Sequence, residues 1–376
     1  MSPARTRVLT AATALVLVAG VLLLLRDTVA PAVARDPSQE PEERTGPRDS
    51  MAAASRDTAP GAKSSRVTVP ASKAPPLSGQ LFFKASWGSG KEQLGKLDAN
   101  ESNPEAPMAL SLDRQGNVYV LDQVNGRISR LDKDGQLLPP LQVTQQTPRD
   151  LAVSPTGTVL VMDNVRDKSI AVLDPGGLPL GELPLTGKNL EAASSAMGLS
   201  TDSSGVYVER ADGMTVRLGD AAGTPDPERP LLDGRPSRDG SSLLSMAVIQ
   251  AEAGRFWVRS VDRLTGQQKF MREYVLPTPI MYLNLLASDA AGRIYVAANV
   301  ARELPLDPAT GNTQTVDASV QLLCLSSMGE IQKVLTLPPS TVPHETVRDL
   351  TVREDGLIFY MHRTAEGVQL LQYSCG

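Results

Sequence analysis

One dipeptide with clear binding chemistry occurs twice before a leucine, as Arg149-Asp150 and Arg348-Asp349. A guanidinium group can hold a carboxylate or a phosphate through two parallel hydrogen bonds. If both arginines face one opening of the fold, the pair predicts a site for a small anionic ligand. The alternative is that each arginine pairs with a nearby Asp.

Two further polar residues complete the predicted ligand-binding set. Asn284 stands just before another predicted strand, and Arg302 lies in an insertion, residues 301–319. Long loops without structure of their own are uncommon unless they serve a function. We therefore expect the insertion to lie beside the opening flanked by Arg149 and Arg348 and to contribute to the contact surface.

Residue types that carry catalysis or hold metals are scarce. The chain has two histidines and two cysteines, which excludes a thiolate zinc site and a multi-histidine metal centre. His344 and His362 each lack a G-x-S-x-G or similar nucleophile turn. The Gly-Ser-Gly-Lys stretch ending at Lys91 is followed by Glu92, where a phosphate-binding loop needs Ser or Thr. The sequence predicts no catalytic residue, no metal and no cofactor.

Charge and composition narrow the class of protein. The 37 basic and 42 acidic residues give a net charge of −5, which is weak and of the wrong sign for a nucleic-acid partner. With 30 Gly, 29 Pro and 4% aromatic residues, turns are frequent and long helices should be few. The prediction is an all-β protein that does not bind nucleic acid.

The elements that would position these residues are repeats. From residue 79 onward, a unit of strand, glycine turn and strand recurs six times. Short residues fit where inner strands converge on an axis, and large ones fill the widening space between neighbouring sheets. The short residues are Ser111, Ala152, Gly198, Ala247, Ala287 and Thr351; the large ones are Tyr119, Leu160, Tyr207, Trp257, Tyr295 and Phe359; the turn glycines are Gly116, Gly157, Gly205, Gly254, Gly292 and Gly356. The pattern predicts a six-bladed β-propeller of four-stranded antiparallel blades over residues 79–376.

The first two copies resemble NHL repeats. Copy one reads DRQGNVYVLD, then NGRIS and DKDG, which matches the family's pattern of a D-x-x-G-N-x-Y-V-x-D core followed by N-x-R-I and a D-x-D-G turn. The later copies lose the second-strand aspartate, which is Asp122 in copy one and Asp163 in copy two. The resemblance implies an NHL-like propeller fold, and it extends over two copies.

Ring closure follows from counting strands. The sixth copy ends after three strands, while an unassigned strand, residues 80–87, precedes the first copy. Because an open ring would leave exposed sheet edges, we expect this strand to complete the sixth blade. Cys324 and Cys375 fall in third strands of adjacent blades with an offset of three residues, about 10 Å along a strand. That offset argues against a disulfide, although an oxidising compartment favours one, so the pairing stays open.

The N-terminal sequence predicts where the protein is located. Arg5 and Arg7 precede 18 mostly apolar residues, 8–25, enough to cross a bilayer as a helix, so residues 1–26 are predicted to be a transmembrane signal anchor. Residues 27–78 are rich in Pro, Ala and Ser without apolar periodicity and predict a disordered linker. By the positive-inside rule the rest is exported, to a periplasmic or extracellular location. The alternative is a secreted protein cleaved after Ala34.

The expected function is recognition. A rigid ring that presents six sets of loops suits binding, so we expect a membrane-tethered, exported, non-catalytic binding or scaffold module for a protein or a small anionic ligand. The alternative is a propeller enzyme, a hydrolase similar to gluconolactonases or a lyase, that uses the axial channel. Three or more carboxylate or Asn oxygens converging in the channel would favour the enzyme; an apolar or arginine-lined channel would favour binding.

Overall fold

Short strands separated by glycine turns make up nearly all of the folded chain. The computed structural model describes residues 65–71, 75–98, 104–305 and 313–376, and these form six sheets around one axis. The predicted all-β, six-bladed propeller is confirmed. The predicted anchor and most of the predicted linker lie outside the described residues. Within the described ranges, no helix is long and apolar enough to cross a membrane.

The strands, numbered along the chain, are short. They are β1 (Ser65–Thr68), β2 (Gln80–Trp87), β3 (Gln93–Leu94), β4 (Ala109–Leu112), β5 (Val118–Asp122), β6 (Arg127–Leu131), β7 (Leu137–Gln142), β8 (Asp150–Val153), β9 (Val159–Asp163), β10 (Ser169–Leu173), β11 (Pro179–Pro184), β12 (Ala196–Asp202), β13 (Gly205–Arg210), β14 (Thr215–Gly219), β15 (Leu231–Leu232), β16 (Arg235–Pro236), β17 (Ser242–Gln250), β18 (Arg255–Asp262), β19 (Gln268–Val275), β20 (Ile280–Ser288), β21 (Ile294–Glu303), β22 (Thr315–Leu325), β23 (Ile331–Leu337), β24 (Leu350–Val352), β25 (Ile358–Thr364) and β26 (Gly367–Tyr373). Two 3-10 helices, Gln123–Asn125 and Ala193–Ser195, lie in connections.

Four blades have four antiparallel strands in sequence order from the axis outward. Blades 1, 2, 3 and 5 are β4–β7, β8–β11, β12–β15 and β20–β23. Blade 4 has the order β16-β17-β18-β19-β1, and blade 6 the order β24-β25-β26-β2-β3. The connections between blades and the turns between second and third strands emerge on one side, which we call the mouth face.

Ring closure follows the predicted scheme. β2 pairs antiparallel with β26, from Gln80 opposite Gln372 to Ser86 opposite Gly367. The ring of Phe82 meets that of Phe359 edge-on, with 5.1 Å between centroids. At the end of the strand the Trp87 indole donates a 2.9 Å hydrogen bond to the Thr364 carbonyl. The assignment of residues 80–87 to blade 6, as the strand outside β26, is confirmed, and the short β3 pairs with its far side.

Part of the predicted linker is folded. β1 pairs in parallel with β19, Ser65 opposite Arg272 and Thr68 opposite Val275. Val69, the next residue, is 1% exposed and belongs to the apolar core shared by blades 4 and 5. The prediction that the linker is disordered as far as residue 78 is therefore corrected at these positions, because apolar burial at the edge of blade 4 orders them.

Blade 4 differs from its sequence-based alignment by one strand. Its inner strand is β16, only two residues long, which pairs near the start of β17, with Leu243 and Leu244. Ala247 therefore lies in the second strand and Trp257 in the third, one strand further out than predicted. Gly254, with φ +66°, occupies the turn between second and third strands rather than the first hairpin.

Buried polar contacts tie the repeats together. In blades 1, 3 and 5 the second-strand tyrosine hydroxyl donates to an aspartate at the end of the first strand: Tyr119 to Asp113 at 3.2 Å, Tyr207 to Asp202 at 2.9 Å and Tyr295 to Asp289 at 2.9 Å. These bonds fix the first hairpin against the large side chain that fills the space between blades.

The two NHL-like aspartates are buried and fully engaged. Asp122 accepts a 2.9 Å bond from Arg127. Asp163 accepts bonds from the backbone and hydroxyl of Thr147 and from the Arg166 amide. Burial acts to raise the pKa of Asp163, but these hydrogen bonds outweigh it and hold the pKa below its ordinary value. The aspartates therefore act as structural acceptors.

Cys324 and Cys375 form a disulfide, with 6.2 Å between their Cα atoms. The strand-offset argument against the bond was wrong because Cys375 lies beyond the end of β26, so its position is not set by the strand register. The bond links the third strand of blade 5 to the C-terminus, beside blade 6. It therefore cross-links the ring next to blade 6, where β2 closes it.

The insertion expected as a structureless loop extends a β-hairpin instead. β21 and β22 continue past the blade, with Val300 opposite Ser319 and Glu303 opposite Thr315. The Leu304 amide continues the pairing with a 2.8 Å bond to the Gln314 carbonyl. Residues 301–305 and 313–319 thus form a hairpin arm on the mouth face.

Candidate functional site

A cavity of about 540 Å³ opens on the mouth face between blades 3, 4 and 5. We call it the mouth cavity. Its apolar lining consists mainly of Met197, Met214, Met246, Trp257, Leu283 and Val347. Met197 is 58% exposed at the lip. The other side chains are half-buried, and all of them except Leu283 and Val347 belong to blades 3 and 4. The wall is thus rich in thioether and aromatic surface.

The cavity exists because the inner strand of blade 4 is so short. Elsewhere the inner strand shields the second strand from the axis, but β16 covers only the Leu243 and Leu244 positions of β17. The upper part of β17, with Met246 and Ala247, therefore faces the axis directly. Gly234, just before β16, allows this tight approach, since a Cβ there would lie 2.5 Å from the Leu244 carbonyl oxygen.

Two arginines divide the axial space. Arg235 and Arg348 line both the mouth cavity and a smaller cavity of about 130 Å³ toward the opposite face. Arg348 donates to the buried Asp150 carboxylate at 2.7 Å and to the Leu199 carbonyl at 2.6 Å. Arg235 donates to the Glu209 carboxylate and to a backbone carbonyl of β20. These contacts place a charged, hydrogen-bonded partition at the cavity floor.

The arginines lining the cavity are neutralised. Burial acts to lower the pKa of Arg348, but the nearby Asp150 and Glu209 carboxylates raise it above its ordinary value, so the guanidinium stays charged. Nearer the lip, Arg259 contacts Asp233, and Arg210 contacts Asp212 at 2.7 Å. Each of the four lining arginines thus has an acidic partner, and the site suits an uncharged group better than a free anion.

The predicted ligand-binding residues do not form one cluster. Arg348 lies at the cavity floor and Asp150 directly behind it. Arg149 lines an adjoining recess of about 400 Å³, which shares Met197 and Val347 with the mouth cavity, and it pairs with Glu345. The Arg348–Asp150 pair is the alternative arrangement of an arginine with a nearby Asp, whereas the partner of Arg149 is a Glu. Arg302 is on the hairpin arm, 3.1 Å from Asp317.

Asn284 and Asp349 contact each other behind the cavity wall. The Asn284 amide lines the cavity and donates a 3.1 Å bond to Asp349, while its own Oδ1 is buried without a partner. Burial raises the pKa of Asp349 above its ordinary value. Asp349 itself is 4% exposed and does not line the cavity, so it is not placed to touch a ligand there.

The histidines lie away from the cavity. His344 is buried, with its Nε2 2.9 Å from an Asp98 carboxylate oxygen and its ring 5.9 Å from that of Trp87. His362 Nε2 is 3.0 Å from the Pro339 carbonyl oxygen. Among the described residues, no group of three or more His, Cys, Asp or Glu side chains is arranged to hold a metal ion. At the cavity, where no described histidine lines the wall, the Ser245 hydroxyl accepts a 3.2 Å bond from Arg259, and the arrangement can bind an apolar group.

Several lining residues were not identified from the sequence. Trp257 was assigned to core packing, and Arg235 lies in the turn-rich stretch LLDGRPSRDG, which carries no strand pattern. Met197 and Met246 flank predicted inner strands but have no motif. The spacing of the turn glycines gives no signal either, since Gly205 to Gly254 spans 49 residues and the interval before it, Gly157 to Gly205, spans 48.

Comparisons with known proteins supply fold-level neighbours only. No family model matches the chain, and no curated protein matches it in sequence; the NHL identity therefore stays a prediction. Similar solved structures include a streptogramin B lyase (14% identity, TM-score 0.39, 74% of this chain and 95% of that one). Others are a protein of unknown function from Bacteroides caccae (12%, 0.39, 64% and 92%) and the dihydro-heme d1 dehydrogenase NirN (15%, 0.39, 81% and 78%). Likenesses this distant carry no argument about activity, so what this chain does must be argued from its own cavity.

Proposed function

We propose that this protein is an exported, membrane-tethered, non-catalytic binding module whose ligand inserts an apolar group into the mouth cavity. The observation that carries the proposal is the cavity itself: about 540 Å³ lined by methionines and Trp257, with its arginines already paired. Thioether and indole groups adapt to apolar and aromatic partners. The tether rests on the N-terminal sequence pattern alone.

The same lining argues for binding over catalysis. Acid–base or nucleophilic chemistry needs a titratable group with free access to the substrate. The carboxylates at this cavity, Glu209, Asp212 and Asp233, each contact an arginine. These three carboxylates and Asn284 all line the cavity, but no three acidic side chains among the described residues converge to hold a metal ion, as the gluconolactonase-like alternative would need.

Photo-crosslinking in the native membrane tests the proposal. Benzoylphenylalanine replaces Met197 at the lip in one variant and Leu178, which is 67% exposed in an outer turn on the opposite face, in the control. We expect a crosslinked species from position 197 that is absent from position 178. Ala247→Trp, which fills the cavity, should abolish the crosslink, whereas Ala222→Trp in an exposed turn of the opposite face should not. Absence of a crosslink at 197, or equal crosslinking at both positions, would refute the proposal.

A further inference from the structure

An exposed apolar strip continues from the mouth cavity across blades 4 and 5. Its members are side chains that are 37–49% exposed although large and apolar: Val248, Ile249, Met281 and Leu304. We call this strip the apolar rim. Contiguous apolar surface on a soluble domain marks an interaction site, whereas single exposed residues do not.

Backbone hydrogen bonds hold the members of the rim side by side. The Ile280 amide donates to the Ala251 carbonyl at 2.9 Å, which joins the top of β17 to the start of β20. The Ala301 amide donates to the Pro279 carbonyl at 3.1 Å, which joins the hairpin arm to the same place. The rim is therefore one rigid surface, and Met246 and Leu283 connect it directly to the cavity.

The charge beside the rim is uncompensated and negative. Glu252 follows Ala251 in the turn at the end of β17, and Glu303 lies on the hairpin arm; both are exposed. Neither forms an ion pair with any described residue, whereas the neighbouring Arg302 is paired with Asp317. A partner that covers the apolar rim thus gains by bringing positive charge to these two glutamates.

We infer that the occupant is a protein segment with a large apolar or aromatic side chain next to lysine or arginine. The inference deepens the proposed function and rests on it. The apolar side chain enters the cavity between Met197, Met246 and Trp257, and the basic residue faces Glu252 and Glu303. A small molecule confined to the cavity would leave the rim in water. An anionic membrane surface would be repelled by the two glutamates.

Panning of a phage-displayed random dodecapeptide library on the detergent-solubilised full chain tests this chemistry. We expect enriched sequences to place an aromatic or large aliphatic residue within about three positions of Lys or Arg. Synthetic copies of the enriched peptides should bind in fluorescence anisotropy. Glu252→Lys with Glu303→Lys should weaken that binding about tenfold at low salt, and less at high salt.

Two controls locate the effect. Glu182→Lys with Asp134→Lys changes charge by the same amount at exposed positions on blades 2 and 1, and binding should not change. Ala247→Trp should remove binding because it fills the cavity. Failure to enrich any sequence, an acidic consensus, or equal binding by the Glu252/Glu303 variant would overturn the inference. If the crosslink at position 197 persists in that case, the binding function stands and only the ligand class is wrong; if both are lost, the proposed function falls as well.

Discussion

Removing the disulfide between Cys324 and Cys375 should cost the protein a calculable amount of stability. The two residues are 51 positions apart in the sequence. In the chain-entropy treatment, a cross-link lowers the entropy of the unfolded chain by about 2.1 + 1.5R ln n cal/mol/K. For n of 51 this is about 14 cal/mol/K, or about 4 kcal/mol at 25 °C. Loss of the bond should therefore lower the free energy of unfolding by about 4 kcal/mol.

The assay is equilibrium unfolding in guanidinium chloride, followed by the fluorescence of Trp87 and Trp257. Cys375→Ala removes the cross-link but leaves the Cys324 sulfur in place, where its side chain is fully buried. The double variant Cys324→Ala with Cys375→Ala also removes that sulfur. The single variant measures the cross-link, and the difference between single and double measures burial of the sulfur.

If Cys375→Ala lowers the free energy of unfolding by less than about 1 kcal/mol relative to the oxidised wild type, the cross-link does not stabilise the protein by constraining the unfolded chain. The same holds if reductant lowers the stability of Cys375→Ala as much as that of the wild type, because the variant has no bond to lose. A stability loss confined to the double variant would show that packing of the sulfur, not the cross-link, carries the effect.

Further changes test other parts of the fold. Gly254→Ala should destabilise by at least about 2 kcal/mol, since φ is +66° and a Cβ would lie 2.3 Å from a carbonyl oxygen; Gly266→Ala, with φ +70° and open space, should cost only about 1 kcal/mol in the same denaturation assay. Val69→Ala should lower the free energy of unfolding by about 2 kcal/mol, while the exposed Thr68→Ala leaves it unchanged; equal effects would mean that β1 is not docked. The pKa of Asp163 is lower in the folded than in the unfolded state. Its contribution to stability is therefore full above about pH 4 and is lost as the pH falls through the pKa of the folded state. Asp163→Asn should flatten this part of the stability–pH curve. Cell fractionation should recover the chain with membranes, its propeller open to protease from outside the cytoplasm, whereas recovery of a shortened soluble form alone would select the cleaved-signal alternative.

The repeat architecture could be predicted because it depends on local patterns. Alternating strands, turn glycines and residue size recur in each copy, and the need to close the ring assigned residues 80–87 by counting alone. The inner strand of blade 4 could not be predicted in this way, because a strand of two residues has no periodicity. The pattern therefore selected the next hairpin, around Gly254, and shifted Ala247 and Trp257 inward by one strand.

The mouth cavity could not have been predicted for the same reason. The cavity forms because β16 leaves most of β17 uncovered. How much is covered depends on how the chain crosses from blade 3 to blade 4. The pairing of Arg348 with Asp150 likewise depends on how closely blades 6 and 2, which flank blade 1, approach each other at the axis, rather than on the Arg-Asp-Leu motif. β1 was not predicted because nothing in its local sequence marks it as a strand. These four residues lie within a polar, Pro-rich stretch and gain apolar contacts only from the tertiary packing of blades 4 and 5.

The direction of β1 fixes the face of the propeller at which this strand begins. β19 runs toward the mouth face, and β1 is parallel to it, so the chain enters blade 4 from the side of the opposite face. In a protein held by its N-terminus, tension on the tether is therefore transmitted to the flank of blade 4, pulling from the side away from the cavity. A force applied to the chain ahead of β1 would therefore load the parallel pairing of β1 with β19 first, at the face opposite the mouth cavity.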